Sequence, residues 1–196
     1  VTGLRLGEVV GLRWCDIDSY SNMLPVNQTL NRLQRYDDDE ADSKTEIVTQ
    51  TPKSQNSIRS IPMLPDLVMD LQNWRTVQMQ DAAALGTAYF DSGLIATQEN
   101  GLYVEPRLMR EYYQKMLAAA NLPNYNFHAL RHTFATRAME QGMDAKTLSI
   151  LLGHYSVGFT LDTYAHVLTD QKWTAMQTMA NMYNMEPPLR QPIQFF

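Results

Sequence analysis

The chain has 196 residues, of which 44% are hydrophobic and 19% charged, enough for one domain with a real core and ordinary for a soluble globular protein. No apolar run approaches the roughly 20 residues of a membrane span, no basic-then-apolar leader opens the sequence, and the single cysteine, Cys15, has no internal disulfide partner; the expectation is a cytoplasmic protein. The formal net charge of -5 weighs against a nucleic-acid partner, yet Asp37, Asp38, Asp39, Glu40 and Asp42 supply five of the negatives and leave the remainder formally neutral, so a locally basic cleft is not excluded.

Leu4, Val9 and Leu12 recur at helical spacing, and residues 4–14 read as a buried amphipathic helix with Glu8 one turn after Arg5. Between 22 and 62 the period changes. Met23–Leu30, Thr45–Gln50 and Ser57–Met63 are short runs broken by Pro, Asn, Ser and acidic residues, which predicts a three-stranded antiparallel sheet. The acidic stretch would be the first hairpin's loop, and Lys53-Ser54-Gln55-Asn56 the tight second turn. After Pro65 a helical stripe through Leu67, Leu71 and Trp74 runs to about residue 85.

Residues 86–104 show no clear period and read as a connecting segment. Helices are then expected at 105–120, 127–141, 145–152, 160–167 and 170–184, with Thr160 as an N-cap. The proline-rich end is expected to be extended or disordered. The fold class is α+β, mostly helical, with one small sheet.

Arg5 and Arg131 suit a phosphate, because guanidinium forks make bidentate charge-assisted hydrogen bonds to its oxygens. The plain alternative for Arg5 is a surface salt bridge with Glu8; otherwise Glu8 is a buttress that fixes the Arg5 side chain. His128 and Arg131, at i and i+3, share a helix face. His132, the residue after Arg131, faces elsewhere and is assigned a structural role. Lys53 is expected at a hairpin tip, where most lysines are merely solvated, but a lysine held by a strand could protonate a leaving oxygen.

Tyr164, one of ten tyrosines, falls ten residues after His154, and Tyr155, its nearest competitor, adjoins His154. Ionising a phenol at pH 7 costs roughly 4 kcal/mol, and Arg5, Arg131 and His128 could supply the field and take the proton. His154 would hydrogen-bond a phosphate oxygen, with His166 as a less certain neighbour. The four histidines, at spacings of 4, 22 and 12, match no zinc pattern. No metal or cofactor is expected.

Arg5, Lys53, His128, Arg131, His154 and Tyr164 lie in the strings T-G-L-R-L-G-E, T-P-K-S-Q-N-S-I-R-S-I-P, H-A-L-R-H-T-F-A-T-R and L-L-G-H-Y-S-V-G-F-T-L-D-T-Y-A-H. In this order and with these flanks the strings resemble the catalytic domain of the tyrosine recombinases, the integrases of phages and conjugative transposons. The match covers residues 2 to about 167; Ser54, where threonine is common after the lysine, is a mild departure.

The resemblance implies a catalytic domain over 1–186 with a tail at 187–196. It also implies a bacterial or phage origin and a separate N-terminal DNA clamp that this sequence does not include, so the chain reads as part of a longer protein. Six site residues would then act together: Tyr164 as the nucleophile on a DNA phosphodiester, Arg5, Lys53, His128, Arg131 and His154 around the phosphate. Double-stranded DNA is the implied partner, and four protomers would assemble on paired sites, with residues 170–184 as a candidate contact. Two other readings stay open. A type IB topoisomerase uses a similar residue set on one DNA site, and a silent integrase remnant would bind DNA without cleaving it.

Overall fold

The computed structural model describes residues 2–34, 45–51 and 55–185. The acidic run at 37–42, Lys53 and the tail at 187–196 lie outside the described residues, as does the side chain of His166. The first helix, α1 (Leu6–Gly11), is shorter than the expected 4–14. Arg5 precedes it in extended backbone, and the Arg5 N–H donates to Glu8 Oε2 at 2.8 Å, the carboxylate half of a capping box; the guanidinium, with no acceptor, cannot supply the other half. Leu12 leaves helical backbone, and a 3-10 turn at Trp14–Asp16 follows.

Among the described residues, two two-stranded antiparallel ladders stand where a three-stranded sheet was expected. The run Met23–Leu30 divides into β1 (Met23–Val26) and the start of β2 (Thr29–Gln34); β1 pairs with β4 (Arg59–Pro62), and β2 with β3 (Thr45–Gln50). Leu24 stands opposite Ile61, and Leu30 opposite Thr49. A contact from another element lies at the division. Gln28, in the gap, turns its amide toward α1 and donates to the Gly11 carbonyl at 2.5 Å.

Pro65 begins α2 (Pro65–Leu85), a position where its missing N–H costs nothing. Residues 86–104 form the expected connector, tied down by bridges Arg13↔Leu94 and Thr97↔Tyr103. Gln78, buried in mid-α2, accepts from the Trp14 indole at 2.7 Å and donates to Thr97 Oγ1 and the Ile95 carbonyl, so its polar atoms keep partners away from water.

The rest is helical: α3 (Pro106–Ala119), α4 (His128–Glu140), α5 (Ala145–Leu152), α6 (Val157–Thr163) and α7 (Ala165–Met182). Asp144 caps α5 through the N–H groups of Lys146 and Thr147. Ser156, and not Thr160, caps α6, accepting from the Phe159 N–H at 3.2 Å. Thr160 is instead a buried interior residue whose hydroxyl faces His154. The break between α6 and α7 falls at Tyr164, with φ -114° and ψ 22°, several residues earlier than expected.

Two apolar clusters support these elements. One joins Leu4, Leu12, Leu24, Val26, Ile61, Met63 and Ile95, from α1's flanks, β1, β4 and the connector. The other joins Ala135 and Met139 of α4, Leu148 and Leu152 of α5, and Tyr164. Among the described residues no helix is long and apolar enough to cross a membrane.

Candidate active site

The C-terminus of α5 organises the site. The last carbonyls of a helix lack intrahelical donors and carry the negative end of its dipole. Here the Ser149 carbonyl accepts from the His154 N–H and that of Ile150 from the Gly153 N–H, both at 3.0 Å, a Schellman pattern. The next three carbonyls each receive a guanidinium. Arg59 Nε donates to Leu151 at 2.6 Å, Arg131 Nη2 to Leu152 at 2.7 Å, and Arg5 Nη2 to Gly153 at 3.1 Å. Three cations from β4, α4 and the start of α1 therefore meet on one helix end. Gly153 makes this possible: its φ is +64°, and a Cβ there would lie 2.9 Å from Arg59 Nη1.

Glu8 fixes two of the three. Its side chain is 1% exposed, and it accepts from Arg59 Nη1 and Nη2 at 3.0 and 2.9 Å and from Arg5 Nη1 at 3.0 Å. Burial pushes the Glu8 carboxyl up, but the hydrogen bonds and charge of Arg59, helped by Arg5, hold it below the ordinary carboxylate value. Arg59 also donates to the Ser57 carbonyl, so it ties β4 to α1 and α5. Arg131 has no carboxylate partner among its described bonds; its second anchor is the Gly3 carbonyl at 2.8 Å. Burial, then the neighbouring Arg5, brings its pKa down to about 10, still charged at neutral pH.

Arg5 differs in exposure. Its side chain is 40% exposed, so one edge is tied to Glu8 and Gly153 while part of the guanidinium reaches solvent. His154 is buried against Thr160, with Nδ1 at 2.6 Å from Oγ1. Burial and the charges of Arg131, Arg5 and Arg59 lower its pKa to about 4, so the ring is neutral at pH 7 and carries one N–H. His128 is lowered too, by burial and then by His132, Arg131 and Arg5.

Tyr164 is 3% exposed. Burial raises the pKa of its phenol, and Arg131 opposes that rise. Its Oη lies 3.2 Å from His132 Nδ1, while the His128 and His132 rings meet edge-on at 4.6 Å between centroids.

Five of the six expected residues thus come together: Arg5, Arg131 and His154 around the end of α5, with His128 and Tyr164 in the same electrostatic neighbourhood. Glu8 is the expected buttress, but its tighter partner is Arg59. Sequence reasoning missed Arg59 and turned His132 away from the site, whereas its ring lies against Tyr164 and His128. Signals existed for both. Arg59 alternates with Ile61 on the inward face of β4, where a charge needs a buried counter-charge. His132 follows His128 by four residues, the spacing of one helix face.

The phage integrase family profile matches residues 1–171, and the chain belongs to that family. It is 35% identical over 185 residues to a XerC-like tyrosine recombinase of Caldanaerobacter subterraneus, covering 93% of this chain and 47% of that protein. It is 26% identical over 187 residues to the transposase of transposon Tn916 from Enterococcus faecalis, covering 91% and 43%. The chain therefore spans a little under half the length of these relatives. Among solved structures, the Tn1549 transposon integrase in complex with transposon right end DNA superposes with a TM-score of 0.69 at 26% identity, over 91% of this chain and 56% of that one. The XerA recombinase shares the fold at a TM-score of 0.61 and 19% identity, over 94% and 55%.

Proposed function

We propose that this chain is the strand-transfer domain, over residues 1–186, of a site-specific DNA recombinase. The phenol of Tyr164 attacks a DNA phosphodiester and forms a 3′-phosphotyrosyl bond, the 5′-oxygen departs, and a partner strand's 5′-hydroxyl reverses the step. Bond energy is kept in the covalent intermediate, which makes neither ATP nor a metal ion a chemical requirement. Arg5 and Arg131 neutralise the charge that develops on the phosphate. His154 donates its one N–H to a non-bridging oxygen, with Thr160 holding Nδ1. His128 stands beside the phosphate, and Lys53 protonates the leaving oxygen.

The observation that carries this reading is the meeting of Arg5, Arg131 and a neutral His154 on the end of α5, in a chain of the phage integrase family. Double-stranded DNA is the substrate, as expected from the DNA-bound state of the Tn1549 integrase. Four protomers act on paired sites, and the exposed Met176, Met179 and Met182 of α7 suit an adaptable contact between them.

Covalent trapping tests the proposal. The chain is incubated with nicked duplexes from a randomised library in EDTA, and denaturant-resistant adducts are collected. Adducts that disappear in Tyr164→Phe while DNA binding persists support a tyrosine transesterase. Adducts that survive in Tyr164→Phe, or none even with the native flanking sequence present, would sink it.

A further inference from the structure

We propose that Thr160 is a positioning residue for His154: its buried hydroxyl donates to Nδ1 and so keeps the single imidazole proton on Nε2, the nitrogen left to face a phosphate. The inference rests on the recombinase reading above and supplies the reason that His154 acts there as a donor.

Thr160 has no exposed surface, and its Oγ1 lies 2.6 Å from His154 Nδ1. A hydroxyl brings one proton and two lone pairs. Inside a helix that proton can return to the carbonyl four residues earlier. Thr76, Thr163 and Thr178 do this, donating to the carbonyls of Gln72, Phe159 and Thr174 at 3.0, 2.7 and 3.0 Å. Thr160 differs: its one described side-chain hydrogen bond is with His154. Were the hydroxyl only to accept from an Nδ1–H, its own proton would be buried without an acceptor, a state that protein interiors avoid. The hydroxyl therefore donates, Nδ1 accepts, and the proton of the neutral ring lies on Nε2.

Burial and the charges of Arg131, Arg5 and Arg59 oppose a second proton on this ring. Which nitrogen carries the single one is then set by the hydrogen bond that the other makes. Nε2 has no partner among the described hydrogen bonds, and no buried side-chain nitrogen or oxygen among the described residues lacks one, so Nε2 opens to solvent. Phe159, the residue before Thr160, meets the imidazole edge-on at 4.9 Å between centroids. One turn of α6 thus fixes both the plane of the ring and its tautomer.

Two readouts test the assignment. Heteronuclear NMR of the histidine ring nitrogens, with His154→Gln to assign the resonances, reads the tautomer in the chain without DNA. Wild type is expected to show Nε2–H and a bare Nδ1. Thr160→Ser should keep that pattern, and Thr160→Val, which preserves the shape without the hydroxyl, should lose it. Single-turnover cleavage of nicked duplex reads the consequence. Thr160→Val is expected to be slower by on the order of 10²-fold with DNA affinity unchanged, while Thr160→Ser stays within a few-fold of wild type. A methylphosphonate at the scissile position removes one non-bridging oxygen. On the diastereomer that lacks the oxygen facing His154, Thr160→Val should match wild type; on the other its defect should persist. A general weakening of the fold would slow both.

The inference is overturned if wild-type His154 carries its proton on Nδ1, a result that needs no variant at Thr160. It is also overturned if Thr160→Val cleaves within a few-fold of wild type, or if its loss is equal on the two diastereomers. A wild-type chain that forms no Tyr164 adduct removes the recombinase reading and the role in cleavage with it. Wild-type adducts together with an Nδ1–H on His154 remove this inference alone.

Discussion

On the α1–β4 side of the site, buried charge is matched by charge: Glu8 holds Arg59 with both oxygens, and shares one with the Arg5 guanidinium and the other with the Arg5 backbone N–H. On the α4–α6 side, buried groups are met by neutral partners. Arg131 rests on two backbone carbonyls, His154 on a threonine hydroxyl and Tyr164 on an imidazole. The first arrangement cancels much of its own field. The second leaves positive charge without a described carboxylate, and the two histidines nearest to it are driven toward neutrality. With a phosphate as the proposed ligand, the α1–β4 side builds the frame, and the α4–α6 side together with the solvent-facing part of Arg5 supplies the attraction.

Breaking the frame should have the largest effect on stability. Glu8→Gln leaves Arg59 buried without its counter-charge, a loss of about 3–5 kcal/mol, measured by urea unfolding. A loss near zero would mean that the α5 carbonyls alone suffice for Arg59. Arg5→Ala sharpens the contrast from the other direction. Because Arg5 is partly solvated, its removal should cost less than about 1 kcal/mol of stability. Yet cleavage in the trapping assay should fall by on the order of 10²- to 10³-fold. Equal stability losses in the two variants would erase the distinction between frame and attraction.

Acid should separate the two sides by smaller steps. His154 has a folded pKa of about 4, below its ordinary 6.5, so the unfolded chain binds the extra proton first. Its stability contribution is full above pH 6.5 and is lost as pH falls toward 4. Glu8 is also depressed below its ordinary 4.5; its contribution persists to that pH and is lost only further down. Unfolding free energy measured from pH 7 to 3 should therefore decline in two stages. Substituting His154 with Gln should shrink the upper stage to the part that His128 supplies, and Glu8→Gln should shrink the lower to the part that Asp16, Asp18 and Asp144 supply.

The helices α2, α4 and α5 were legible within a residue or so, because apolar spacing and a start such as Pro65 are local signals. The four strings likewise gave the family, and five of their six singled-out residues come to one neighbourhood in the fold. Lys53 was readable only as a string, and its place lies outside the described residues. Other features could not be read along the chain. Ser156 and Thr160 are equally good caps by type, and Thr160 was claimed by His154 once the two met. The Met23–Leu30 run looked like one strand until α1 took the Gln28 amide.

Arg59 and Glu8 are 51 positions apart, Arg131 and Gly3 128, Arg5 and Gly153 148. Local sequence fixes which turns and helix faces form, since those energies act over four or five residues. Which guanidinium finds which carbonyl, and which imidazole meets the phenol, is set by interactions that exist only after the chain has closed on itself.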